Sequence, residues 1–390
     1  MTAPPARTGR LYFLDWARIG AFALLIAYHV GMYYVSWDWH VKSPHASSAI
    51  EPLMRLSEPW RMGLIFIVSG AATSLMLMRT GPGAGLLRSR SSRLLLPLLF
   101  GMAVIVPPQA YFEVVAKAGY AGSYLDFLGL YFTAYQGFCR DGDCLVLPTW
   151  NHLWFLPYLW FYTLALWLAL RRWPAALDGL AERAARSGIG FWLAPLAVLA
   201  LLRMALLSRF GSTHALVDDW HNHAVYGFLF VLGAALARRV ELFDRMAARR
   251  WLALATALVC WALITLYFAS FSEANLPPEW LRQLQRVVHA TLQWSAIVAV
   301  LGFARRHLDV DHRWRRPLNE AVYPCYLLHQ TVIVVAAVAL GTLHWPVAVE
   351  APVLLSITFG TCLLAWRLVR RVGALRPWFG IGPSAAILGR

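Results

Sequence analysis

The stretch LDWARIGAFALLIAYH, residues 14–29, sets Asp15, Arg18 and His29 in a segment otherwise apolar enough to cross a bilayer. Eleven positions separate Arg18 from His29. At 100° per residue that returns to nearly the same helix face, about 16 Å farther along the axis. Asp15 lies one turn before Arg18, within pairing reach. One face of the first span therefore carries an acid and a guanidinium toward one end and an imidazole toward the other. Ionisable groups inside a span are costly against lipid and belong on a face that lines a protein interior or a wet cavity. A histidine can act as a general base near neutral pH, and an arginine can grip a phosphate or polarise a carbonyl. His29, Arg18 and Asp15 are the candidate catalytic set. A structural reading stands beside it, in which Asp15–Arg18 is a helix-locking ion pair and His29 an interfacial histidine.

Other residues extend that division. His329, in YPCYLLHQ, enters a later span from the same end as Arg18 and is expected at a comparable depth. Arg90 and Arg93, in LLRSRSSRLLLP, lie one turn apart at a span mouth, where forked guanidiniums suit a phosphate-bearing donor and also serve as topology determinants. The opposite ends of the spans carry Glu113, His152, Trp154, His221 and His223, and aromatics mixed with carboxylates and hydrogen-bonding groups suit a carbohydrate. Each of these has an ordinary alternative, Trp154 as part of an interfacial aromatic belt for example. No H-x-x-x-H or H-E-x-x-H pair occurs, and the HNH triplet at 221–223 points two ways around a helix, so no metal site is expected. Walker, G-x-G-x-x-G and G-x-S-x-G motifs are also absent.

These residues must be positioned by a membrane domain. The 390-residue chain is 59% hydrophobic and 14% charged, against the quarter charged that is usual in soluble proteins. Apolar runs of roughly 20 residues recur from end to end. Ten spans are expected: about 11–34, 60–79, 94–112, 152–170, 189–207, 222–238, 251–271, 284–304, 321–343 and 350–369, forming one all-α polytopic bundle over residues 1–390. The first is read as a span and not a cleavable leader, because it carries charges and no small-residue cleavage site follows it. Arginines concentrate in alternate loops, so the net charge of +15 reads as topology, both termini are expected in the cytoplasm, and no nucleic-acid partner is implied. The longest external connection, about 113–151, holds an amphipathic aromatic stretch and the turn-like CRDGDC, in which Cys139 and Cys144 are either bridged or free thiols.

Taken together, RLYFLDWARIGAFALLIAYH, RMGLIFIVSGAATSLML, RSRSSRLLLP, HLWFLPYL and VYPCYLLHQ resemble the acyltransferase 3 family of membrane enzymes over nearly the whole chain, and YFLDWAR, PPQAYFE and NHLWFLPYL are most similar to a glucan-biosynthesis branch of it. The Arg18-x10-His29 spacing matches the family's R-x10-H motif. The resemblance implies an acyl-CoA co-substrate, acetyl or succinyl, on the cytoplasmic side of the inner membrane and a glycan hydroxyl outside. It makes His29 the general base with Arg18 its partner, and Arg90, Arg93, Ser69 and His329 candidates for the donor end. Glu113, His152, Trp154, His221 and His223 remain candidates for the acceptor. Acetyl and succinyl differ by a carboxylate that an arginine such as Arg61 or Arg203 could recognise. The rival expectation is a secondary transporter or flippase for an anionic or acylated glycan precursor, with Asp15, Arg18 and His29 as a coupling relay.

Overall fold

The computed structural model describes residues 10–81, 83–140, 143–272 and 274–382. Fourteen α-helices follow in order: α1 Tyr12–Tyr34, α2 Glu51–Thr80, α3 Ala84–Phe100, α4 Pro107–Ala118, α5 Tyr124–Phe132, α6 Phe155–Arg172, α7 Ala176–Arg186, α8 Gly190–Phe210, α9 Trp220–Leu236, α10 Glu241–Ala248, α11 Arg250–Ser270, α12 Glu279–His307, α13 Arg315–Gly341 and α14 Val347–Val369. Among the described residues the only strands are β1 Cys139–Arg140 and β2 Asp143–Cys144, an antiparallel ribbon in which Cys139 faces Cys144. Those two cysteines form a disulfide, which decides between the two readings of CRDGDC.

Among the described residues eight helices are long and apolar enough to cross a membrane, and α3 with α4 makes a ninth if counted as one span bent by 45°. The bend falls where five residues of π-helix, Gly101–Ile105, meet Pro107, whose ring cannot donate into the preceding turn. The remaining expected span, 222–238, is the 17-residue α9, about 25 Å long and short for a bilayer core. It is held by its neighbours instead. A Cβ on Gly70 of α2 would stand 1.9 Å from the Phe230 carbonyl oxygen, and one on Gly233 of α9 would stand 2.0 Å from the Ile67 carbonyl oxygen. Two glycines on facing helices thus let the backbones touch, the small-residue crossing that substitutes for a hydrophobic drive inside lipid.

The arginine-rich connections gather at one end of the bundle. Arg305 at the end of α12 meets Asp244 of α10 at 2.8 Å, and Arg239 meets Glu182 of α7 at 2.5 Å. Arg315, at the start of α13, is fully buried between Asp15 and Asp311. Asp15 also receives Arg10 at 3.2 Å. The expected Asp15–Arg18 pair is therefore corrected: Asp15 binds arginines from outside its own turn, and Arg18 donates instead to the Asn319 side-chain oxygen.

At the opposite end the connection 211–219 is pinned by one buried carboxylate. Asp219 accepts from the Tyr158 hydroxyl, the Thr213 and His214 amides and the Asn222 side chain. Around it His214, Leu216 and Asp218 all adopt positive φ, a conformation that non-glycine residues hold only when their surroundings enforce it. Burial works against ionisation of Asp219, yet the Tyr158, Asn222 and Thr213 donors hold its carboxyl below the usual carboxylate range.

Two outcomes are expected. Gly233→Val should cost about 3 kcal/mol or more and abolish monodisperse protein on size-exclusion chromatography, because the obstructing atom is backbone. Gly129→Ala, with nothing within 4 Å of the added carbon, should leave the elution profile unchanged. Because Asp219 is easier to ionise folded than unfolded, its stabilisation is present above the ordinary carboxylate pKa of about 4 and is lost as pH falls through its lower folded value. Asp219→Asn should lower Tm at neutral pH and flatten the acid limb of Tm against pH, as read by thermal scanning in detergent.

Candidate active site

Helices α1 and α13 run side by side in the same direction, and their contacts keep a nearly constant offset. Asp15 meets Arg315, Arg18 meets Asn319, His29 meets His329, and the Tyr33 hydroxyl meets the Ala337 carbonyl. His329 is fourteen positions beyond Arg315, as His29 is beyond Asp15. Fourteen residues are close to four helical turns, so two ladders started in register at the arginine-rich end stay in register at the histidines. The expectation that His329 lies at the depth of Arg18 is thereby corrected. It lies at the level of His29, because α13 begins at Arg315, six residues before the span start expected at 321.

The hydrogen bonds of this pair settle its protons. His329 Nδ1 lies 2.6 Å from the Tyr326 carbonyl oxygen, which can only accept, so Nδ1 carries the hydrogen. In neutral His329 the other nitrogen, Nε2, is then an acceptor, and His29 Nδ1 must donate to it across 2.9 Å. Neutral His29 keeps its Nε2 lone pair, and among the described residues nothing in the protein occupies it. The arrangement orients one imidazole with another, as a carboxylate does in a Ser-His-Asp triad.

Neighbouring histidines lack that freedom. His152 donates from Nε2 to the Leu327 carbonyl at 3.1 Å, and its Nδ1 faces the Gln109 amide at 3.5 Å. Its ring is edge-on to His329, 4.9 Å between centroids. Gln109 of α4 accepts from Gln330, the residue after His329, at 3.1 Å. The Gln330 amide also donates to His40 Nε2 at 2.6 Å, leaving His40 Nδ1–H to donate to Glu113 at 2.5 Å. Lys117 completes the line, 3.1 Å from Glu113 and 2.7 Å from Asp38. A continuous polar path thus leads from the side of the histidine pair to a cavity of 470 Å³ lined by Asp38, Glu113, Lys117 and the disulfide ribbon. His40, Gln109 and Gln330 were not singled out in the sequence. The signals available were Gln109 and Glu113 four apart in PPQAYFE, and Gln330 directly after His329.

On the other side of the pair lies a second, smaller cavity of 140 Å³, lined among others by Arg18, Ser69, Arg90, Arg93, Phe22 and Tyr326. Here the residues expected at the donor end do come together, with Arg18 among them and His329 excluded. Arg90 donates to Thr73 Oγ1 at 2.7 Å, while the buried Nε atoms of both Arg18 and Arg90 have no hydrogen-bond partner among the described residues. Phe22 and Tyr326 pack edge to face at 5.4 Å, and the Tyr326 ring is 6.0 Å from that of His329, so these two rings stand between the guanidiniums and the imidazoles.

The remaining expected acceptor residues fall elsewhere. Trp154 lies against His214 at 4.2 Å and within an aromatic cluster with Tyr158 and Tyr226. His223 stacks on Tyr158 at 4.6 Å and meets the Leu216 carbonyl at 2.6 Å. His221 is buried on another face of α9, with neither ring nitrogen bonded. Only Glu113 of the acceptor set lines the large cavity, and only His152 touches the histidine pair.

Comparison with known proteins agrees with this architecture. The profile of an acyltransferase domain, the acyltransferase 3 type, matches residues 11–370. Glucans biosynthesis protein C of Escherichia coli K12 is 29% identical over 168 residues, 43% of this chain and 41% of that protein, and the same figures hold for its counterpart in E. coli O1:K1. The chain thus aligns with about two fifths of the curated relatives it matches. No solved structure matches. With the family profile covering all the membrane helices and both cavities, this chain belongs to the acyltransferase 3 family of multi-pass membrane acyltransferases.

Proposed function

We propose that the protein transfers an acyl group, acetyl or succinyl, from acyl-CoA to a hydroxyl of a glycan across the inner membrane. The observation that carries this reading is the His29–His329 pair, which leaves His29 Nε2 uncommitted in a bundle that also holds an arginine-lined cavity and a polar one. The arginine-rich end of the bundle takes the cytoplasmic side by the positive-inside rule. Acyl-CoA then approaches Arg90, Arg93, Arg18 and Ser69, where two unpartnered guanidinium N–H groups await phosphate oxygens. A cavity of 140 Å³ suits the slender pantetheine arm, with the nucleotide end outside it. The acceptor occupies the larger cavity beside Glu113 and Lys117, and glucans are the acceptor class suggested by the relatives' name.

In the transfer step the acceptor hydroxyl gives its proton to His29 Nε2 while its oxygen attacks the thioester carbonyl carbon. The tetrahedral intermediate collapses with cleavage of the C–S bond, and the imidazolium returns the proton to the departing CoA thiolate. His329 holds His29 in the required tautomer and accepts a hydrogen bond that strengthens as His29 becomes charged. Arg18, about 16 Å below His29 on the same helix, belongs to the donor grip. Asp15 sits at the mouth as the partner of Arg315 and does not touch the reacting atoms.

Purified wild type should release CoA from acetyl-CoA or succinyl-CoA only when a glucan acceptor is present. His29→Ala should lose about 10³-fold in kcat, a typical general-base contribution, while CoA binding by calorimetry persists. His329→Phe should lower kcat by about 10²-fold with little change in the KM for acyl-CoA and should shift the acid limb of the pH–rate profile, since His29 loses its tautomer partner. Equal CoA release by wild type and His29→Ala would overturn the role given to His29. Solute movement without thioester cleavage in wild type would return the molecule to the transporter reading.

A further inference from the structure

A second cluster of ionisable groups lies on the other flank of α1, away from His329. Arg61 of α2 is 8% exposed, and its guanidinium covers the Tyr28 ring at 3.3 Å. Two of its three nitrogens, Nε and Nη1, are buried without a hydrogen bond among the described residues. The same is true of Arg203 Nε on α8, of both ring nitrogens of His221 on α9, and of Nδ1 of His289 on α12. His221 and His289 are 4% and 5% exposed. Four helices therefore bring donors to one place and leave them unused.

Two carboxylates act on this cluster among the described residues: Glu58, 3.5 Å from His289 Nε2 and within the electrostatic reach of Arg61 and Arg203, and Asp219, which acts on His221. With Arg286 acting on Arg203 as well, three guanidiniums stand against two carboxylates and leave a surplus of one positive charge. Asp219 contributes its charge but no free acceptor, because its oxygens are already taken by Tyr158, Thr213, His214 and Asn222. A buried guanidinium whose N–H groups lack acceptors is costly to keep, so a core that retains surplus positive charge with unused donors suits an anion that arrives later. The side chain of Glu58 is 47% exposed while it faces His289, so the cluster reaches the protein surface at that point. The connection 211–218 approaches the cluster through His214, which lies against Trp154 and within reach of the Arg61 charge.

We infer that Arg61, Arg203, His221 and His289 form a binding subsite for a carboxylate carried by a substrate. One surplus positive charge suits a monoanion, and two guanidiniums with two imidazole N–H groups supply the in-plane donors that a carboxylate accepts. The Tyr28 ring, beneath Arg61, is 6.1 Å from that of His29, so a group held here is within a short acyl chain of the proposed base. That the carboxylate belongs to a substrate rests on the acyl-transfer reading; that the cluster binds an anion does not. Two sources share this chemistry: the distal carboxylate of a dicarboxylic acyl group, and an acidic substituent on the acceptor.

The test uses the full chain in detergent. Succinate and glucuronate, each against acetamide as a neutral control, are titrated while Tm is recorded, and a saturable rise is expected from binding to the folded state alone. The rise should disappear in Arg61→Gln and in Arg203→Gln and persist in Arg203→Lys, which keeps the charge should the glutamine variants prove unstable. Transfer assays then name the source. A fall of tenfold or more in the succinyl-to-acetyl ratio of kcat/KM in Arg203→Gln assigns the acyl carboxylate, and the same fall in the ratio for glucuronate-bearing against neutral glucan assigns the acceptor. No saturable stabilisation of the wild type, equal stabilisation of the glutamine variants, or unchanged values of both ratios would overturn the subsite. Anion binding lost in the variants, in a wild type that cleaves no thioester, would leave the anion site standing and remove the acyl-transfer reading instead.

Discussion

The α1–α13 seam is the constraint from which the rest of the site follows. Its lowest rung is an ion pair between Asp15 and a guanidinium with no exposed surface, and its upper rung is a hydrogen bond between two imidazoles. Both rungs have the same sequence offset, so a slip of one residue at the bottom would turn His329 away by about 100° at the top. Removing one member of a buried ion pair strands the other, which is far more costly than the pair's net contribution. The ion pair thus acts on the chemistry through register, some four helical turns away.

Because the seam sets which atoms of His329 meet which neighbours, it also sets the protonation pattern. The Tyr326 carbonyl fixes one hydrogen, that hydrogen fixes the acceptor face of His329, and that face fixes His29. Every step uses a group with one permitted role. His152 and His40 sit in the same polar layer, but both of their nitrogens are committed to neighbours, which is why burial and residue type alone do not distinguish them from His29.

Much of this was readable in the chain. The face shared by Arg18 and His29 follows from helical spacing, and the apolar runs mark the helices. Long-range partners were not readable. Asp15 has a local arginine three residues on, yet Arg315, three hundred positions away, is the one that reaches it, and in the sequence Arg315 is one of several arginines in a loop. His329 was placed too deep because an arginine and a polar turn hid the true start of α13. Gln109, Gln330 and His40 carry no charge pattern, and only the fold shows that they meet. The histidines of HNH do diverge, but toward an aromatic cluster and an anion-starved one, a distinction that depends on α8 and α12.

The elbow between α3 and α4 has a consequence for how such a protein diversifies. One broken span supplies Arg90 and Arg93 to the small cavity and Glu113 and Lys117 to the large one, with Pro107 at the joint. A straight helix would tie both ends to a single rotational phase, so a change suited to one ligand would disturb the other. The break removes that tie. Residues downstream of Val106 can then vary against the large cavity without turning Arg90 and Arg93 away from the small one.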